Sequence, residues 1–216
     1  MVELSLTQIL PFLLLAARWT LLLSVIAFAG GSVGATLLLL WRYGTPRVGG
    51  RATSLFIQLF QGTPLLLQLF LVFFGLPMIG VDVTPMMAAG VALTLYASAF
   101  LAEIWRGCVD SIPRGQWDAS DSLGMNFLTQ MRYVILPQSL KIAIPPTVGF
   151  LVQLLKSTAL ASIVGFNELT RSGQIVANAT FEPFIIYSLV ALIYFAMCYP
   201  LTVGSRVLER RLRNER

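Results

Sequence analysis

Lys156, Ser157, Thr158 and Ser162 sit inside an otherwise apolar run, and no other group in the sequence so clearly suggests chemistry. An ammonium and three hydroxyls at that spacing offer a charge and hydrogen bonds, which is ligand-binding chemistry. In the competing reading the lysine extends its charge to the nearest interface while the hydroxyls bond their own helix. Bond-breaking chemistry finds no such support. The chain has no histidine, so a Ser-His-Asp arrangement is excluded. Cys108 and Cys198 lie 90 positions apart without a CxxC pair, which leaves neither a zinc site nor a disulfide framework. The two lysines, Lys141 and Lys156, each follow a leucine, so no glycine-rich phosphate loop ending in Gly-Lys is present. Glu103 and Arg106, three residues apart, read as a structural clamp, with proton relay as the sharper alternative.

The elements that hold these residues follow from composition. Of 216 residues, 56% are hydrophobic and 12% charged, and the mean hydropathy is +0.78. A soluble domain carries about twice that share of charge. Disorder requires still more charge and less hydrophobicity. At roughly 20 apolar residues per membrane span, five stretches qualify: Leu21–Trp41, Leu55–Gly75, Met86–Trp105, Ile142–Phe166 and Phe184–Ser205. The fold class expected is therefore all-α, a polytopic membrane protein of five transmembrane helices. Ile9–Ala17 is too short to span and is expected to lie along the interface. No removable signal peptide is read at the N-terminus. Gly30, Gly31 and Gly34 read as a close helix contact, and Gly62-Thr63-Pro64 as a kink in the second span.

Loop charge sets the orientation, since cytoplasmic loops carry the excess of Lys and Arg. The first loop holds Arg42, Arg47 and Arg51, and the third holds Arg106, Arg114, Arg132 and Lys141. The tail holds Arg206, Arg210, Arg211, Arg213 and Arg216. All other basic residues are Arg18, Lys156 and Arg171. This pattern places the N-terminus outside and the C-terminus in the cytoplasm. It also assigns the net charge of +5 to loops at a membrane surface, not to nucleic acid.

The third loop, residues 106–141, is long for a connector yet rich in Trp117, Leu123, Phe127, Met131 and Val134. Pro113-Arg114-Gly115 breaks the chain, and Gln116–Leu123 then reads as two helical turns with Gly124 as a left-handed C-cap. Ala119 and Leu123 form an apolar stripe at i, i+4; Asp118 and Asp121 form an acidic one. A second segment, Phe127–Leu136, is expected to end at Pro137. An amphipathic helix on a rigid loop suits docking into a partner's groove; a connector folded on its own helix ends is the alternative.

Asp118-Ala119-Ser120, then Gly124 and, nine residues later, Val134-Ile135-Leu136-Pro137 resemble the "EAA" loop of ABC importer permeases. Further motifs are similar to the polar amino-acid uptake branch of that family. They are Gly62-Thr63-Pro64-Leu65-Leu66, Gln68-Leu69-Phe70, Phe74-Gly75-Leu76-Pro77, Glu103-Ile104-Trp105-Arg106-Gly107, Ser111-Ile112-Pro113, Gly115-Gln116, Leu136-Pro137-Gln138 and Lys156-Ser157-Thr158. The resemblance covers about residues 18–212 of one permease domain, 1–216. Asp118 and Ser120 stand where the family has Glu and Ala, and Gln61 stands where it usually has Arg.

The resemblance implies a type I importer permease fold in a bacterial inner membrane. Its partners would be a second permease subunit, identical or related, two cytoplasmic ATPase subunits and an extracytoplasmic substrate-binding protein. The implied function is passage of polar amino acids or close derivatives, driven by a partner's ATP hydrolysis. The chain itself would hold no cofactor, ATP and Mg²⁺ being bound by the ATPase, and would not be an enzyme. Gly115, Gln116, Asp118, Ala119, Ser120, Leu123, Gly124, Leu136 and Pro137 would form the coupling loop, with Ala119 and Ser120 in the ATPase groove. Gly62, Thr63, Lys156, Ser157, Thr158 and Ser162 are candidates for the substrate path. The readings from other classes are an ion-driven secondary carrier, which wants inverted repeats and buried acids, and a membrane scaffold without transport.

Overall fold

The computed structural model describes residues 6–214, and among them every regular element is helical. Arg216 lies outside the described residues. The chain opens with α1 (Leu6–Gly44), 39 residues without interruption, about 58 Å at 1.5 Å per residue. Ile9–Ala17 is thus not a separate interfacial helix but the first turns of α1. No helix breaker follows Ala17. Ile9, Leu13 and Ala17, at i, i+4, i+8, are buried among Leu169, Val176, Ile186 and Val190. Burial on protein removed the reason for the segment to lie flat on lipid.

The second expected span is two helices, α2 (Val48–Gly62) and α3 (Leu65–Met78), set at 100° to each other. Pro64 disfavours helical backbone at Thr63, which is extended at φ −115°, ψ 143°. The expected kink is a full break. Next comes α4 (Pro85–Asp110), whose Thr84 hydroxyl accepts the Met87 N–H while Pro85 supplies a preset φ in the first turn.

Helix α4 is the central post. Its Ala88, Ala89, Ala92, Ala97, Ala99 and Ala102 are buried, so neighbouring backbones approach closely. Against it α1 brings the expected glycine contact: a Cβ on Gly31 would overlap Ala97, and one on Gly34 would overlap Ser98.

Beyond α4 lie α5 (Arg114–Ser122) and α6 (Phe127–Gln130), then a π turn over Met131–Ile135 and α7 (Leu136–Ser157). The second loop segment does not stop at Pro137. That proline falls in the first turn of α7, where its missing N–H costs no hydrogen bond, and the wide turn before it absorbs the ring. A 3₁₀ turn, Thr158–Ser162, ends this long element; α8 (Leu169–Thr180) and α9 (Pro183–Asn214) complete the chain. Four elements are long and apolar enough to cross a membrane (α1, α4, α6 through the 3₁₀ turn, and α9), with the bent α2–α3 pair as a fifth.

Candidate functional site

The loop helix α5 starts two residues earlier than its periodicity indicated, directly after Pro113, and stops at Ser122. Its end is a complete glycine cap. Gly124 has φ +72°, its N–H bonds the Asp121 carbonyl at 2.9 Å, and the Met125 N–H reaches back to Ser120 O at 3.2 Å. Those two bonds satisfy carbonyls that a helix end otherwise leaves open.

Two glutamine amides fasten α5 to the bundle. Gln130 donates to Trp117 O at 3.0 Å and to Asp121 Oδ1 at 2.9 Å. Gln138 donates to the Gln116 side-chain oxygen at 3.4 Å and to Val134 O at 2.7 Å. Trp117 packs on a cluster of Val109, Ile112, Met131 and Ile135. Such a helix moves as one body with α6 and α7. Among these, Gln130 was missed by the sequence reading: a glutamine in a loop gives no local sign that it will be buried.

The outward face carries Asp118, Ala119, Ser122 and Leu123, with Leu123 76% exposed. Gly115, Gln116, Leu136 and Pro137 are also exposed. Leu128, 77% exposed, adds an apolar knob to this face that the motif did not indicate. Ser120 points the other way. It is buried, and its hydroxyl donates to Gln116 O and Trp117 O at 2.8 and 2.9 Å. The expectation that Ser120 lies in a partner's groove beside Ala119 is therefore corrected: each residue step along a helix rotates the side chain by about 100°.

Arg106 forks onto Glu103, with Nε to Oε2 at 2.9 Å and Nη2 to Oε1 at 2.6 Å, and pairs with Asp110 as well. That bidentate geometry is a clamp at the root of the loop. The Trp105 indole N–H donates to Thr147 Oγ1 at 2.9 Å and ties α4 to α7 beside it.

The candidates in the membrane-spanning part separate into two groups. Ser157 joins Leu65, Leu69, Ala92 and Leu160 in lining a crevice too narrow for water, so α7's end abuts the start of α3 just past the break. Gly62 and Thr63, at the break itself, are exposed. Gln68 staples the break: its amide N–H₂ lies 2.8 Å from Phe60 O, 3.1 Å from Thr63 O and 3.0 Å from Thr63 Oγ1. Its side-chain oxygen is buried without a partner among the described residues. The sequence hinted at this role only through a polar residue four positions after Pro64.

Lys156 is exposed in the last turn of α7, where a cation complements the helix C-terminus. Thr158 is fully buried and Ser162 half-buried. The hydroxyls of Ser157, Thr158 and Ser162 donate to the carbonyls of Gln153, Leu155 and Ala159 at 3.0, 2.7 and 2.6 Å. Lys156 and Thr158 therefore do not share a face.

Glu168 went unremarked in the sequence except as a loop charge, and it is completely buried. It caps α8, accepting from Thr170 N and Arg171 N at 2.9 Å each. Tyr194 of α9 donates to it at 2.9 Å and Thr20 of α1 at 3.3 Å. Burial pushes its pKa up, against the pull of those four donors. Among the described residues no three His, Cys, Asp or Glu side chains gather to hold a metal.

Residues 39–214 match the family described as binding-protein-dependent transport system inner membrane components. The chain is 34% identical over 201 residues to the probable amino-acid ABC transporter permease protein YckA of Bacillus subtilis, covering 93% of this chain and 89% of that one. It is 35% identical over 206 residues to the glutamine transport system permease protein GlnP of Escherichia coli, covering 94% of each. To the L-cystine transport system permease protein TcyB of Bacillus subtilis it is 34% identical, over 94% of this chain and 87% of that one. A solved amino acid ABC transporter with histidines superposes with a TM-score of 0.89 at 33% identity, covering 93% and 94%. The inward-facing methionine transporter MetNI shares the fold, with a TM-score of 0.72 at 20% identity.

Proposed function

The chain belongs to the family of binding-protein-dependent transport system inner membrane components, and on that premise we propose the following working complex. This subunit is a transmembrane permease of an ATP-driven amino-acid importer. It pairs with a second permease, identical or related. Each loop helix seats in a groove of one of two cytoplasmic ATPase subunits, and an extracytoplasmic binding protein delivers substrate. ATP and Mg²⁺ are bound by the ATPase; this chain contributes no cofactor and one permease domain. The cargo is a polar amino acid or a close derivative, which accords with relatives named for glutamine and L-cystine. The N-terminus is outside and the C-terminus cytoplasmic, so that the loops holding Arg42 to Arg51 and Arg106 to Lys141 face the cytoplasm.

The observation that carries this reading is α5 itself: a capped helix, fastened by Gln130 and Gln138, that presents Ala119 and Leu123 outward. A partner's rigid-body motion reaches the spans only through an element that does not yield. The test is to express the chain with its neighbouring ATPase and binding protein, purify it, and reconstitute it in vesicles. Co-elution of the ATPase, with hydrolysis stimulated by loaded binding protein, is the expected result. Hydrolysis indifferent to the binding protein would leave only a scaffold. A reporter inserted at Asp82 should read the outside, and a cytoplasmic signal there would overturn the orientation.

The substrate path runs past the break at Gly62-Thr63 and the junction Lys156–Ser162; Leu65, just after the break, and Ser157, in the junction, line one crevice. The crevice admits no water, so substrate passes there only when α3 and α7 part. Lys156, exposed next to it, supplies a charge for a substrate carboxylate. Lys156→Met keeps length and removes charge. Uptake should fall about tenfold, the scale of one charge-assisted hydrogen bond, with ATPase association unchanged. Normal uptake would return Lys156 to the role of a helix-end cation.

A further inference from the structure

We propose that the turn between α1 and α2 is a binding site for an anionic phospholipid, with the phosphodiester seated among Arg42, Arg47 and Arg51. The three arginines line one cavity of about 490 Å³, together with Ser54, Gln58 and Leu55. Arg42 is preset by two bonds from one terminal nitrogen, to Gly50 O at 3.3 Å and Ser54 Oγ at 3.0 Å. Among the described residues none of the three arginines forms an ion pair; the nearby Glu103 is spent on Arg106.

Three cations around one cavity repel each other, and two of them sit where the helix dipole makes matters worse. Arg47 precedes the first residue of α2 and Arg51 lies in its first turn, which contains no acid and has no side-chain cap. The N-terminal end of a helix favours negative charge. An anion in the cavity relieves both terms, and a phosphate oxygen offers the fork geometry that guanidinium groups prefer.

The surroundings favour a lipid over a soluble phosphate. The cavity wall includes Leu55, and Leu40, Trp41, Val48, Leu55 and Leu59 nearby are 48–68% exposed. They belong to α1 and α2, so acyl chains cover them, and Trp41 is a residue type that settles at headgroup level. Basic pockets between spans on the cytoplasmic side bind lipid headgroups by this combination. The inference rests on the orientation proposed above only for which leaflet supplies the lipid.

The test uses the purified permease–ATPase complex in detergent, so it does not depend on orientation. Native mass spectrometry reads retained palmitoyl-oleoyl phosphatidylglycerol against the matching phosphatidylethanolamine. Wild type should retain the glycerol lipid preferentially. Arg47→Gln with Arg51→Gln should weaken that retention about thirtyfold, the scale of two basic groups at a charged surface. Arg206→Gln with Arg210→Gln removes the same charge elsewhere and should change retention less than about threefold. Inorganic phosphate should not displace the lipid. Equal losses in both double variants, or displacement by phosphate, would overturn the assignment. So would a first variant that keeps its lipid but sheds the ATPase, which would make the patch a protein contact.

Discussion

Gly124→Val should leave the permease inserted and its binding-protein docking intact, yet cut substrate-driven ATP hydrolysis and uptake by at least about tenfold. The cause is backbone strain at φ +72°. Among the described residues, and apart from its chain neighbours, nothing lies within 4 Å of a Cβ placed there, so no clash inside the subunit contributes. A β-branched residue in the left-handed region costs about 2 kcal/mol, which frays the last turn of α5 about thirtyfold more often. In the complex proposed above, the helix would then yield when the ATPase closes and the outward face at Leu123 would lose its contact. Gly124→Asn is the control, because asparagine tolerates this conformation and should keep most of the coupling. Asp118→Asn should change little, as an exposed charge contributes about 0–1 kcal/mol. Uptake and hydrolysis in reconstituted complexes measure all three. Normal transport by Gly124→Val would reduce α5 to a connector.

Glu168→Ala is expected to be the most damaging single change to folding. It strips the acceptor from the Thr170 and Arg171 N–H groups, the Tyr194 hydroxyl and the Thr20 hydroxyl at once. Bonds to a charged acceptor are each worth about 1.5–3 kcal/mol, and orphaned buried donors add to the loss. Four such bonds total about 6–12 kcal/mol as an upper bound, comparable with the whole of a typical stability of about 5–15 kcal/mol. The yield of folded protein in membranes should collapse, whereas Glu168→Gln, which keeps one acceptor oxygen, should be recoverable with a lowered unfolding temperature. A pH signature accompanies it. Because burial raises this carboxyl's pKa, the folded state holds its proton more tightly than the unfolded chain does. Its contribution to stability is full below the ordinary carboxylate range and declines as pH rises through that range to the raised value. Thermal unfolding of wild type should show that slope, and Glu168→Gln should lack it. A flat wild-type profile would mean that the four donors cancel the effect of burial, and a reversed slope that they outweigh it.

Hydropathy alone placed the five apolar stretches, because a bilayer demands apolar length segment by segment. The cap at Gly124 was equally legible: only a residue without a Cβ sits easily at positive φ, and the pattern from Gln116 to Gly124 is local. The Arg106 clamp followed from i, i+3 spacing, and the tight contact of Gly31 and Gly34 from their size.

Tertiary structure decided everything that depended on a distant partner. Ile9–Ala17 became part of α1 only because α8 and α9 bury it. Ser120 turned inward because Trp117 packs on the α4–α7 cluster and fixes the rotation of α5. Gln68 became a staple because the break at Thr63-Pro64 left the carbonyl of Phe60, eight residues behind it, open. Glu168 is the extreme case, joined to Thr20 across 148 positions. Span, cap and turn chemistry are set within a few residues and can be read from them. The fate of a polar side chain depends on whether remote helices bring it hydrogen-bond partners or leave it to water, and only packing settles that.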